Sequence, residues 1–106
     1  MIDTIADKKA SDILLLDLRQ QSIFTDYFLL CSTTNERQLR AIAESVWDDA
    51  KLKADIVGMS IEGTPQSGWM LVDFGDLVVH IFMEEQRAYY DLEELWSESS
   101  IVMRMP

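Results

Sequence analysis

Gly68-Trp69-Met70-Leu71-Val72-Asp73-Phe74-Gly75-Asp76-Leu77-Val78-Val79-His80-Ile81-Phe82 is two apolar runs separated by turn-forming residues, the pattern of a β-hairpin folded back at Phe74-Gly75. With a two-residue turn, or a four-residue turn that takes in Asp73 and Asp76, the indices of facing residues sum to a constant. The strand period of two then sorts every side chain to one face or the other. Met70, Val72, Leu77, Val79 and Ile81 make a purely aliphatic face. The opposite face carries Trp69, Leu71, Val78 and Phe82 together with Asp73, Asp76 and His80. A dry core does not hold such a mixture unless its polar groups find partners, so this second face is the candidate working surface. A three-residue turn would move the register by one and undo the sorting.

Before the hairpin, Ile13 to Leu16 runs without alternation into Asp17-Leu18, as in a strand covered on both faces and central in a sheet. Asp26 to Cys31 is a second apolar strand. The cluster Ser32-Thr33-Thr34-Asn35 then supplies caps for a helix, with capping-box spacing at Thr33 and Glu36 and, for amides, at Asn35 and Gln38. That helix, from about Asn35 to Lys53, places Leu39, Ile42, Ala43, Val46, Trp47 and Ala50 on one stripe and Glu36, Arg40, Glu44, Asp48 and Lys51 on the other side. A third, weaker strand over Ile56–Ile61 is interrupted by Gly58. Residues 1–10 hold a short helical pattern (Ile2, Ile5, Ala6) that needs tertiary support. After the hairpin, residues 83–90 predict a short helix or turn, and Leu92–Trp96 a last helical turn. Residues 97–106 read as a poorly ordered tail. The expected fold class is α/β: one domain over residues 1–96, a mixed five-stranded sheet flanked by helices.

The chain has 106 residues and 19 acidic against 9 basic side chains, a net charge of −10. Such a surface repels phosphate, which argues against direct binding of nucleic acid or anionic lipid and suits a basic partner. One cysteine, Cys31, precludes an intrachain disulfide and fits a reducing compartment. No run is long enough for a membrane span, and the N-terminus lacks the pattern of a signal peptide. The expectation is a soluble cytoplasmic protein.

Catalytic patterns are weak. Asp73 and Asp76, with Asp17, could hold a divalent metal, but aspartates flanking a turn serve backbone hydrogen bonding first. Cys31 and His80 could pair as nucleophile and base, although nothing in the sequence brings them together. A single histidine leaves no second imidazole for a zinc site. The Ser32–Asn35 helix start could meet a phosphate, but that loop has no glycine and no lysine. No catalytic, metal or cofactor-binding residue is assigned.

Phe24-Thr25-Asp26-Tyr27-Phe28, Cys31-Ser32, Arg37-Gln38, Ile42-Ala43, Ile61-Glu62-Gly63, Gly68-Trp69, Asp73 to Phe82 and Tyr89 to Trp96 occur in an order and spacing that resemble the ribosomal silencing factors, the RsfS or Iojap family. The resemblance covers about residues 12 to 96. It implies a fold related to nucleotidyltransferases without their catalytic motif. Those enzymes need a Gly-Ser helix start and an Asp-x-Asp pair, where this chain has Ser32-Thr33 and no such pair. It also implies a homodimer when free and docking on the large ribosomal subunit through its L-fourteen protein. Docking there blocks subunit joining and so represses translation under nutrient limitation. In the family the residue matching Trp69 belongs to the partner-binding surface, and Leu71, Asp73, Asp76 and His80 accompany it on the mixed face. The leading helix is shorter than usual, and Ser60 stands where glycine is common. The competing reading is a nucleotide- or metal-dependent transferase that uses Asp73 and Asp76.

Overall fold

The computed structural model describes residues 2–20, 25–53, 60–91 and 100–105. Its elements are α1 (Ile2–Asp7), β1 (Ser11–Asp17), β2 (Tyr27–Thr33), α2 (Glu36–Lys53), β3 (Ser60–Thr64), a single 3-10 turn (Pro65–Ser67), β4 (Trp69–Asp73), β5 (Leu77–Met83), α3 (Glu84–Tyr90) and β6 (Ser100–Met105). The strands form one mixed sheet in the order β3-β4-β5-β2-β1-β6. Among the described strands only the β2–β5 pair is parallel.

The two faces of the sheet bury different things. Ile13, Leu29, Cys31, Met70, Val72, Val79 and Ile81 point to one side, where Leu39, Ile42, Ala43 and Val46 of α2 and Ile5 of α1 complete a cluster, with Leu15 and Trp47 at its edge. Each large aliphatic side chain taken fully from water contributes about 2 kcal/mol, so α2 is held by its stripe rather than by intrinsic propensity. Glu36, Arg40, Glu44 and Asp48 lie on its exposed side. The six-residue α1 is too short to persist alone. It is fixed by Ile5, which has no exposed surface, and by the Thr4 hydroxyl donating to Asp49 Oδ2 at 3.0 Å. On the other side Leu14, Leu16, Leu18, Leu30 and Phe82 are buried, with Phe28 and Trp69 partly so. Strand β1 therefore buries residues of both parities, which is why it reads as a continuous apolar run.

Three expectations change. The sheet has six strands rather than five, because Ser100–Met105, expected to be a poorly ordered tail, is β6, antiparallel to β1. A strand with both faces covered cannot leave one backbone edge unpaired at no cost, and β6 supplies the missing donors and acceptors. The hairpin turn is centred on Gly75-Asp76 rather than Phe74-Gly75: Phe74 N–H donates to the Leu77 carbonyl at 2.9 Å, and Gly75 has φ +89°. Trp69 thus faces Phe82, Leu71 faces His80 and Asp73 faces Val78. The turn moves by one residue and every cross-strand partner therefore by two, which preserves parity and leaves the sorting of the two faces intact. Finally, Thr33 does not cap α2. It is buried in β2 and donates to the Phe82 carbonyl, while Asn35 Oδ1 accepts from Gln38 N–H at 2.8 Å and Gln38 Oε1 accepts from Thr34 N–H. The third strand is described from Ser60 onward. Its expected start at residues 56–59 and the helical turn at 92–96 lie outside the described residues.

Candidate functional site

On the mixed face the β4–β5 ladder sets Trp69 and Phe82 side by side, with ring centroids 5.1 Å apart and planes 21° from parallel. His80, two residues before Phe82 on the same face, stacks on it at 6.0 Å and meets Phe28 of β2 edge to face at 4.6 Å. Helix α3 starts directly after β5, which brings Tyr90 back over Trp69 at 4.6 Å, and Tyr89 meets Tyr90 at 90°. The result is a row of rings that climbs out of the protein. Phe82 and His80 are 1 % and 5 % exposed, Tyr90 is 47 % and Tyr89 is 82 % exposed. Beside it an open groove of about 260 Å³ is lined by Glu62, Gly63, Ser67, Trp69, Leu71 and Tyr90.

Two backbone features hold the rim of this groove. Gly63 has φ +87° and faces Met70, and a Cβ there would stand 2.2 Å from the Trp69 carbonyl oxygen. Gly68, at φ +78°, closes the 3-10 turn that Thr64 caps through its hydroxyl and Ser67. Both positions take a left-handed conformation that an L side chain resists.

His80 is neutral at physiological pH. Burial pushes its pKa down to about 4, with the Asp73 carboxylate opposing. Its Nδ1 accepts from Trp69 Nε1–H at 3.2 Å.

Of the residues singled out on the sequence, Trp69, Leu71 and His80 come together, although His80 is buried and touches Trp69 from beneath the surface. Asp73 lies farther along the face. Its Oδ1 accepts from Gly75 N–H at 2.8 Å, so it builds the turn. Asp76 is exposed within that turn, and its carbonyl accepts from the N–H groups of Asp26 and Tyr27, tying the hairpin to the start of β2. Asp73 thus does with its side chain what aspartates do at turns, whereas Asp76 contributes through its backbone. Glu62 and Tyr90 belong to the groove; both lie in stretches that carry the family resemblance but were not among the expected site residues. Helical spacing makes Tyr90 look like one more residue of a short helix, and only its position eight residues after Phe82, on an element that must turn back, hints at more.

The transferase residues do not assemble. Among the described residues no three of His, Cys, Asp and Glu are grouped to hold a metal ion. Cys31 packs toward α2 while His80 packs in the ring row on the opposite face, so they cannot act as nucleophile and base. At the start of α2 the Ser32 hydroxyl receives Arg87 Nη1–H at 2.9 Å and the Thr33 hydroxyl is engaged with Phe82. The adjacent cavity of about 210 Å³ is walled by Glu36, Glu84 and Glu85, whose charge opposes a phosphate.

Comparison with known proteins decides the family. The family model described as "Ribosomal silencing factor during starvation" (RsfS) matches residues 1–105, β6 included. This chain belongs to the RsfS family. The ribosomal silencing factor RsfS of Bacillus subtilis is 42% identical to it over 95 residues, 90% of this chain and 80% of that protein. A crystal structure of a Chromobacterium violaceum protein superposes with TM-score 0.85 at 33% identity and covers 96% of this chain and 86% of the other. A mouse protein named for mitochondrial assembly of the ribosomal large subunit is 31% identical over 100 residues, 92% of this chain and 43% of that longer protein. RsfS membership makes this chain a ribosome-associated regulatory protein, and its mixed sheet with flanking helices is the family's fold. Among the described residues no helix is long and apolar enough to cross a membrane.

Proposed function

We propose that this protein silences ribosomes without enzymatic activity. It docks on the large subunit through the basic L-fourteen protein and occupies the face that the small subunit needs, which represses translation when nutrients are short. In the cytoplasm and off the ribosome it pairs with itself, as the family resemblance implies. The observation that carries the docking reading is the ring row with Trp69 and Tyr90 at its open end. Tryptophan and tyrosine dominate interfaces because they offer large, stiff, amphipathic area. The site is rimmed by Glu62 and sits on a chain of net charge −10, so a basic protein is attracted and RNA phosphate is repelled. The large-subunit partner draws support from the family and from the name of the mouse relative.

The test is subunit joining. Purified large and small subunits are mixed at rising concentrations of this protein, and the joined fraction is read on sucrose gradients. The expected result is loss of joined ribosomes, with the protein co-sedimenting with large subunits, and restoration of joining when Trp69→Ala is used instead. Full joining at saturating wild-type protein would end the proposal.

A further inference from the structure

We propose that His80 is a positioning residue for Trp69. Its Nδ1 anchors the indole N–H inward, so that Trp69 presents to a partner only its π face and hydrocarbon edge. This inference rests on the reading of Trp69 as a docking anchor.

An indole N–H is a donor and never an acceptor, so the 3.2 Å contact from Trp69 Nε1 requires a lone pair on His80 Nδ1. In a neutral imidazole the proton then sits on Nε2. That Nε2 is buried and has no hydrogen-bond partner among the described residues. A buried donor left without a partner is a net loss, so His80 is a poor choice if its task is to fill space between Phe28 and Phe82. A phenylalanine would occupy the same slot with no orphan. What histidine adds, and phenylalanine cannot, is the acceptor for Trp69.

The effect on Trp69 follows from its place. It is the first residue of β4 and only half-buried, beside a groove, where an indole free to turn would populate several rotamers. Stacking on Phe82 and contact with Tyr90 restrict the tilt of the ring but not which edge points outward. The hydrogen bond to His80 decides that. A side chain already held in its bound orientation loses less freedom on docking, which strengthens binding with no new contact. The partner group facing Trp69 therefore needs no acceptor for the indole. An aliphatic stem or a cation lying over the ring fits it, as the side chains of a basic protein provide.

Asparagine carries an acceptor at the Nδ1 position of histidine and glutamine carries its amide farther out, so the pair separates geometry from polarity. The experiment compares wild type, His80→Asn, His80→Gln and His80→Phe by two readouts. The first needs no partner: the Trp69 indole N–H resonance, assigned by its loss in Trp69→Phe, and its exchange with water. The expected result is a protected N–H in wild type and His80→Asn and a fast-exchanging one in His80→Gln and His80→Phe. The second is affinity for the isolated L-fourteen protein, expected to fall about tenfold in His80→Gln and His80→Phe while His80→Asn stays within about threefold. An N–H equally protected in all folded variants, or equal affinity of the Asn and Gln variants, overturns the proposal. Normal binding by Trp69→Ala would instead remove the docking reading and leave the resonance result standing.

Discussion

Cys31 lies beside Ile81 across the parallel β2–β5 ladder, and neither has any exposed surface. Burial pushes the Cys31 thiol up to about 12, only partly opposed by the charge of Arg87, so almost no thiolate exists at neutral pH. A disulfide-exchange reagent should leave the native protein unlabelled at pH 8 and react at once in denaturant. Rapid stoichiometric labelling without denaturant would show that α2 does not cover this strand.

The buried imidazole makes stability depend on pH with a definite sign. Unfolded, His80 takes up its proton near the ordinary 6.5, whereas folded it resists until about 4. Between these values the unfolded state binds more protons. Its contribution is therefore complete above about pH 6.5 and is lost as pH falls toward 4, about 3 kcal/mol in all. Urea midpoints from pH 7.5 to 4.5 check this against His80→Asn, since His80 is the only histidine. Wild type should lose ground to the variant on acidification, and parallel curves would refute it.

Gly63 and Gly68 both have positive φ but differ in what a methyl group would strike. At Gly63 it meets the Trp69 carbonyl oxygen at 2.2 Å, which is backbone, and at Gly68 it meets the side-chain end of Gln86 at 2.4 Å. Gly63→Ala should cost about 3 kcal/mol or more, because β3 must part from β4. Gly68→Ala should cost about 1–2 kcal/mol, since Gln86 can swing away. Denaturant melts rank the two, and equal losses would contradict the close approach at Gly63.

Trp69→Ala separates anchoring from packing. Trp69 is half-buried, so its removal should cost about 1–2 kcal/mol of folding, or roughly 5–10 °C in Tm for a chain of this size. Binding to the L-fourteen protein should weaken by at least about thirtyfold while the variant is still folded. A large fall in Tm with unchanged affinity would make Trp69 a core residue.

The net charge sets the rate of encounter. Attraction to a basic partner acts over distance and is screened within about 8 Å at physiological ionic strength. The association rate with the L-fourteen protein should therefore drop steeply between about 50 and 300 mM salt, with dissociation nearly constant. A salt-independent association rate would show that the acidic surface plays no part.

Strand parity was legible because it survives error: a hairpin turn placed one residue early shifts every cross-strand partner by two, which left Trp69, Leu71 and His80 together. The stripe from Leu39 to Ala50 located α2 for the same reason, since a period of 3.6 tolerates a blurred end. Strand β6 was not legible. Ser100 to Met105 carries no alternation, and what makes it a strand is the open edge of β1, a fact about another part of the chain. Tyr90 was missed as a groove residue likewise, because its neighbours Trp69 and Phe82 are supplied by the return of α3. His80 was placed on the right face, but its burial and its tie to Trp69 depend on Phe28 arriving from β2.

The parallel pair also sets the order in which the molecule can assemble. Tyr27 pairs with Leu77 and Thr33 with Met83, so every rung of the central ladder joins residues 50 apart. β1 waits still longer for β6, from the opposite end of the chain. Contacts so distant require loop closure before they give any return, which slows folding and leaves strand edges open meanwhile. During synthesis β1 and β2 emerge well before either outer neighbour exists. The newly made chain therefore passes through a stage in which the β1–β2 pair has two bare edges, until β5 and β6 arrive to cover them.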